Sequence, residues 1–274
     1  MQKDISLTVD FPAVPDALLL APVGLSTPQS APVSVDTQGA AQRMVADPRS
    51  AQHALVLTPA EAQIRLAWSY VLGGADYCEA MFQPRNSRYT RAAAKLADEA
   101  REFAHRSVKD IADHVAALFA YGHPETRFYD AEDEIPQLCS MTEGSCVDIN
   151  AYFIAFCRAA GIEAGYITGY FIPEEKRTHC ADMHCWVVTR GPQGVQEWDI
   201  AHHLKMGTRD IRPGLNPKPG VRVAMAHSMG LEFPSLGLRD LKLIGEPMWL
   251  FPDGSWARPE MTITLRGYDR LAQC

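Results

Sequence analysis

Residues 146–160 constrain this chain more than any other stretch, because their apolar side chains recur at helical spacing. Ile149, Tyr152, Phe153, Phe156 and Cys157 fall at i, i+3, i+4, i+7 and i+8, one face that has to be buried. Gly161 stands where a left-handed C′ residue ends a helix. Gly144-Ser145-Cys146 comes just before, a helix-capping serine followed by a thiol in the first turn. A cysteine beside an apolar run is ordinarily an inert core residue, and Cys157 reads that way. Cys146 sits instead where free N–H groups and the helix dipole favour a thiolate.

Three strand patterns follow. Ile162 to Ile172 is aromatic and β-branched and stops at Pro173; Met183 to Thr189 and Val195 to Ile200 are joined by Gly191-Pro192-Gln193-Gly194. The last two carry His184 and Asp199. A turn centred on Gly191-Pro192 sets these two residues opposite each other, and one centred on Pro192-Gln193 makes them diagonal neighbours on the same face. A three-residue loop puts them on opposite faces unless a bulge intervenes.

Before the helix, residues 91 to about 121 hold two more helical patterns with a break near His105 to Lys109, then a polar loop from Tyr121 to Ser140. Residues 1–74 are rich in short strand patterns: Ile5-Leu7-Val9 alternating, Leu18 to Leu20, Val33 to Val35, Leu55 to Leu57 and Ile64 to Leu72, punctuated by seven prolines. They read as an N-terminal β-sandwich-like module. The stretch 203–222 reads as a long loop, and strands are expected around Lys242 to Ile244, Met248 to Phe251 and Thr262 to Leu265, with a Pro252-Asp253-Gly254 turn between the last two.

With 274 residues, 47% hydrophobic and 22% charged, the chain can bury a sizeable core. A net charge of −7 argues against nucleic acid, whose phosphates need clustered positive charge. No apolar run approaches the ~20 residues of a membrane span, and Met1-Gln2-Lys3-Asp4-Ile5 lacks the pattern of a secretory signal. Seven cysteines cannot all pair, so free thiols and a cytoplasmic location are expected.

The residues that carry chemistry are Cys146, His184 and Asp199: a thiol nucleophile, its base, and the carboxylate that steadies the ring. The Cys146 N–H is also free to bind an oxyanion. Asp148, one turn into the helix, is better suited to holding the helix start than to catalysis. His179-Cys180, His184-Cys185 and His202-His203 invite a zinc reading, but their spacings fit no finger or ribbon, and neither a metal nor a cofactor is expected. Cys185 would point to the opposite strand face from His184, and Pro173 to Asp182 would be a solvated connection or a lid. Lys205, Arg209, Arg212, Lys218 and Arg222 read as a solvated basic loop, an acidic substrate being the sharper alternative.

Between about residues 140 and 200 the sequence resembles the transglutaminase-like superfamily of cysteine acyl-transfer enzymes and peptidases. The resemblance lies in Gly144-Ser145-Cys146-Val147-Asp148, Arg158-Ala159-Ala160-Gly161-Ile162, Gly169-Tyr170, His184-Cys185-Trp186 and Glu197-Trp198-Asp199, five elements in order. Two positions depart from the family pattern: Cys185 replaces the usual alanine, and Ile200 stands where a proline commonly follows the aspartate. The resemblance implies an α+β, papain-like core in which a helix carrying Cys146 packs on an antiparallel sheet carrying His184 and Asp199, over residues 75–274. A β module ahead of such a core is similar to bacterial members. The implied activity is thiol-dependent acyl transfer on peptide or amide bonds through a thioester, with hydrolysis expected. Amine transfer and a non-catalytic binding module are the alternatives; no membrane or nucleic-acid partner is expected.

Overall fold

The computed structural model describes residues 5–83, 87–192, 194–214 and 216–273. The chain begins with six strands: β1 (Ile5–Pro12), β2 (Leu18–Pro22), β3 (Ser30–Gln38), β4 (Ala40–Ala46), β5 (His53–Pro59) and β6 (Gln63–Leu72). Helices α1 (Ala94–Arg101) and α2 (Val108–Leu118) come next, then β7 (Phe119–Tyr121), β8 (Thr142–Gly144) and helix α3 (Cys146–Ala159). Then follow β9 (Glu163–Pro173), β10 (His179–Cys180), β11 (Met183–Gly191), β12 (Gly194–Trp198), α4 (Ile200–Lys205) and β13 (Gly220–His227). The chain ends with β14 (Leu231–Phe233), β15 (Leu238–Leu241), β16 (Met248–Leu250), β17 (Trp256–Ala257), β18 (Ile263–Arg266) and α5 (Tyr268–Leu271).

The central sheet, in the order β12-β11-β9-β13, is antiparallel. On one face α1, α2 and α3 bury Leu96, Val115, Phe153 and Phe156 with Tyr166, Cys185, Val187 and Trp198. On the other, Trp186 and Val188 pack with Phe82 and Met81. The architecture is thus α+β, a cysteine-bearing helix on an antiparallel sheet. No helix of the described residues is long and apolar enough to cross a membrane.

Strands from the start of the chain form two sheets, β10-β18-β1-β6-β3 and β17-β16-β2-β5-β4, which share an interior of Leu7, Val9, Leu19, Leu57 and Trp68. This sandwich is not made by residues 1–74 alone. β18 pairs with β1 and β16 with β2, and Tyr170 and Val223 of the central sheet join the same cluster. Burial of that interior therefore ties both ends of the chain to the sheet that carries His184.

Local signals explain the elements that set the site. Ser107 and Asp110 form a capping box at the start of α2. At the end of α3, Gly161 has φ 82°, its N–H reaches the Arg158 carbonyl, and the Ile162 N–H reaches the Cys157 carbonyl, a complete Schellman motif.

Several expectations are corrected. Residues 203–222 are not one long loop, since α4 runs to Lys205 and β13 starts at Gly220. Lys242 to Ile244 is no strand, because β15 stops at Leu241, and the Pro252–Gly254 turn joins β16 to β17. His179-Cys180 is not loop: it forms β10, the edge strand beside β18, so the connection from Pro173 to Asp182 is tied to the sandwich. Asp199 lies just past the end of β12, as the N-cap of α4. The Met1–Asp4 stretch and Gln193 of the hairpin turn lie outside the described residues.

Candidate active site

Cys146 is the first residue of α3. The helix start is fixed by Asp148, whose Oδ2 accepts from the Ser145 N–H at 2.8 Å and the Ser145 hydroxyl at 2.7 Å. Its Oδ1 accepts from the Tyr129 hydroxyl at 2.7 Å and lies 3.3 Å from Arg127 Nη1. Asp148 is therefore the holder of the helix start that its position suggests. Gly144 precedes it on β8, paired in parallel with Tyr121 on β7.

His184 and Asp199 meet through the hairpin. β11 and β12 pair Val187 with Trp198 and Gly191 with Gly194, the register of a turn centred on Pro192-Gln193. In that register the two residues are diagonal neighbours on the same face, and His184 Nε2 lies 2.7 Å from Asp199 Oδ2. Asp199 is held in turn by the His202 N–H on its Oδ1 at 2.9 Å, a cap bond of α4. Because Nε2 is engaged by the carboxylate, Nδ1 is the ring nitrogen left for Cys146, which His184 also contacts by hydrogen bond.

The electrostatics favour an ion pair. A hydrogen bond from the Cys185 thiol, with the hydrogen bond and charge of His184, holds the Cys146 thiol well below its ordinary value, against burial. Burial pushes the Cys185 thiol well up, so it keeps its proton and donates. For His184 burial works downward, but the charge and hydrogen bond of Asp199 lift it to about 9. Asp199 is fully buried, which works upward, yet the His184 and Arg222 charges bring its carboxyl below the usual range.

The expectation that Cys185 points away from His184 along the strand holds, but it is not remote. The helix-facing side of β11 brings it against Cys146, and Asn150, one turn along α3, donates to its carbonyl at 3.0 Å and its sulfur at 3.4 Å.

Arg222 is a site residue that the sequence did not disclose. It lies on β13, 4% exposed, and donates through Nη2 to the same Asp199 Oδ2 that His184 uses. Its Nε donates to Asn216 Oδ1 at 2.9 Å, and its guanidinium lies 4.9 Å from the Trp186 ring centre and 5.3 Å from that of Phe171. The remaining basic residues of that stretch divide: Arg209 donates to the carbonyls of Ala116 and Phe119, Arg212 pairs with Asp210, Lys218 pairs with Glu175, and Lys205 lies over Tyr121.

His184, Asp199 and His202 offer three metal-ligand atoms within 4.8 Å of one another. Two cationic groups already claim the Asp199 oxygen, and burial with the Arg222 and His184 charges brings the His202 imidazole down to about 4. A cation would have to displace Arg222, so the donor set fits an ion-pair network better than a metal. His203 Nδ1 bonds the Asp199 carbonyl at 2.8 Å and is a structural contact.

Cys146 and His184 open onto a cavity of about 590 Å³, also lined by Tyr121, Phe171, His202 and Lys176. Burial and the neighbouring Cys146 sulfur raise the Tyr121 phenol, which therefore stays protonated as a donor. Gly169, paired with His184, has no room for a side chain: a Cβ there would lie 2.1 Å from the Val223 carbonyl oxygen.

Residues 90–198 match the family model of the transglutaminase-like superfamily. The chain therefore carries a transglutaminase-like core. A proposed cysteine protease from Cytophaga hutchinsonii has a similar fold, at 13% identity and a TM-score of 0.54, over 96% of this chain and 97% of that one. The periplasmic domain of TgpA from Pseudomonas aeruginosa aligns at 16% identity and a TM-score of 0.39, over 76% of this chain and 91% of its own. No curated protein matches the chain in sequence.

Proposed function

We propose that the protein is a thiol-dependent acyl-transfer enzyme of the hydrolytic kind, a cysteine peptidase or amidase with Cys146 as nucleophile, His184 as acid and base, and Asp199 as orienter. The observation that carries this reading is the His184 ring, bonded through Nε2 to Asp199 at 2.7 Å and facing a Cys146 thiol at the start of a helix. The thiolate attacks an amide carbonyl, and the developing oxyanion takes the Cys146 N–H, with the Tyr121 phenol as the side-chain donor lining the same cavity. The His184 imidazolium passes its proton to the leaving amine, and a thioester remains on Cys146. His184, now neutral, takes a proton from water, which attacks the thioester and frees the acid. Water as acceptor is supported by the exposed, charged rim of the cavity, where Glu175, Lys176, Asp182 and Lys205 face solvent.

The test is amine release from a peptide library. Cys146→Ala is expected to abolish it, and iodoacetamide is expected to label Cys146 fastest among the thiols, more slowly in His184→Ala. Retained turnover in Cys146→Ala rules the mechanism out. A fluorescent primary amine that becomes incorporated into peptide in preference to hydrolysis would make the enzyme a transferase.

A further inference from the structure

The cleft does not stop at Cys146. A second cavity of about 610 Å³ adjoins the first, and Val147, Met183, Arg127 and Arg258 line both. Val147 is the residue after Cys146, so a chain bound across the thiol extends into this arm within about one residue length. Each cavity is large enough for a few residues of a peptide.

Lys242 lines that arm. Its Nζ stands 5.3 Å from the Tyr89 ring centre and 5.1 Å from that of Tyr129. Among the described residues it forms no ion pair and no side-chain hydrogen bond. Arg127, the other half-buried cation there, meets the Tyr129 hydroxyl at 3.5 Å and Asp148, whose two oxygens already accept from the Ser145 N–H and hydroxyl and from Tyr129. The carboxylate within reach of Arg127 is thus occupied in capping α3, and Asp130 is the other acid whose charge both cations feel. Burial, then the Arg127 charge, pull the Lys242 amine below its ordinary value, the mark of a cation whose charge is not compensated. Asp130 and Asp148 pull the other way and do not cancel this. Of the acids lining the arm, Glu246 is held by Arg258 at 2.9 Å, and Asp240 is the other. Lining cations outnumber lining acids in a chain whose net charge is −7. Trp256, 62% exposed, adds an open apolar ring for the stem of a side chain.

We propose that the arm of the cleft beyond Val147 is a carboxylate subsite, in which Lys242 and Arg127 receive an acidic side chain of the peptide substrate. This rests on the reading of Cys146 as the nucleophile. A carboxylate there gains two charge-assisted hydrogen bonds and relieves the repulsion between the two cations. Tyr89 and Tyr129 keep Lys242 in place while no substrate is bound.

The experiment uses the full chain and a peptide series in which Glu or Gln is walked through the positions flanking the scissile bond. At one position the Glu peptide is expected to be turned over about tenfold better in kcat/KM than its Gln twin. Lys242→Met is expected to bring that ratio to about one by lowering turnover of the Glu peptide far more than that of the Gln peptide, and Lys242→Arg to keep it. No Glu preference at any position overturns the subsite; so does a preference that survives Lys242→Met, or an equal loss on both peptides. If the wild-type protein turns over no peptide, the acyl-transfer reading fails by itself. The subsite is then decided by fluorescence polarisation of the same peptides, tagged, on the wild-type and Lys242→Met proteins. Tighter Glu binding that disappears in Lys242→Met supports it, and equal binding of Glu and Gln peptides overturns it.

Discussion

If Cys146 and His184 form a thiolate–imidazolium pair, stability has to depend on pH in a way that one substitution reveals. Unfolded, the thiol titrates near 9 and the imidazole near 6.5; folded, the thiol is held well below 9 and the imidazole raised to about 9. Between pH 6.5 and 9 the pair holds one proton in each state, on sulfur when unfolded and on nitrogen when folded, so its contribution is flat. Below 6.5 the unfolded pair takes a second proton that the folded pair refuses until the thiolate itself protonates, so stability falls on acidification by up to ~1.4 kcal/mol per pH unit. In Cys146→Ser only the imidazole titrates. Its pKa, raised by Asp199, gives stability that is complete below 6.5 and is lost as pH rises through the folded value. The wild-type minus Cys146→Ser difference in unfolding free energy therefore rises with pH from about 5 to 8. An ideal ion pair gives ~4 kcal/mol over that span, and incomplete charge separation about half of it. Urea unfolding of both proteins at half-unit steps measures this, and groups titrating elsewhere cancel in the difference. A difference independent of pH would mean that the folded thiol carries its proton, and the ion-pair description would be wrong.

Arg222→Met leaves the buried Asp199 with one cation fewer and is expected to destabilise the fold by about 3 kcal/mol in urea unfolding, a loss under about 1 kcal/mol counting against the shared-oxygen network. Gly169→Ala drives a methyl against the Val223 carbonyl and is expected to cost at least 2 kcal/mol by the same assay, a neutral outcome contradicting the close strand approach. Cys185→Ala removes the thiol that donates to Cys146, so iodoacetamide labelling of Cys146 at pH 6 is expected to slow about tenfold. Tyr121→Phe is expected to lower kcat on a cleaved peptide by ~10²-fold with little change in KM, and an unchanged kcat would remove Tyr121 from the oxyanion site.

Helix α3 and the β11–β12 hairpin were legible because their signals are local. The 3.6-residue period, the glycine at C′ and the short Gly-Pro-rich turn each act within a few residues. The meeting of His184 with Asp199 followed from counting across that turn, up to a choice of register that only the paired strands resolve. β4 was missed because six of its seven residues are partly or fully exposed and only Val45 is buried, so neither alternation nor apolarity marks it. β13 was missed because the Gly- and Pro-rich residues before it masked a strand whose Val221, Val223 and Met225 point into the sandwich interior. Arg222 was lost with it: one residue among five basic side chains of an apparent loop gives no sign that strand pairing opposite Phe171 carries it to Asp199. The pairing of β18 with β1 and of β16 with β2 joins segments more than 200 residues apart, a contact for which no local pattern exists.

That long-range pairing has a consequence for the site. His184 stands on β11, whose neighbour β9 continues through Tyr170 and Ile172 into the interior of the sandwich, and Arg222 stands on β13 between Val221 and Val223, which enter the same interior. Cys146, by contrast, is set by α3 and its capping carboxylate within the helical core. Cys146 is thus fixed by the helical core alone, whereas His184 is held both by that core, through Cys185 and Val187, and by a second cluster that closes only when the last strands dock on the first. A chain lacking β16 to β18 would keep the helix, the hairpin and every residue of the motif, yet lose part of the packing that holds the sheet under His184 and Arg222. The physical expectation is a Cys146 that still sits at a helix start but reacts as an ordinary thiol, because the ring and carboxylate that ionise it are no longer held at a bonded distance.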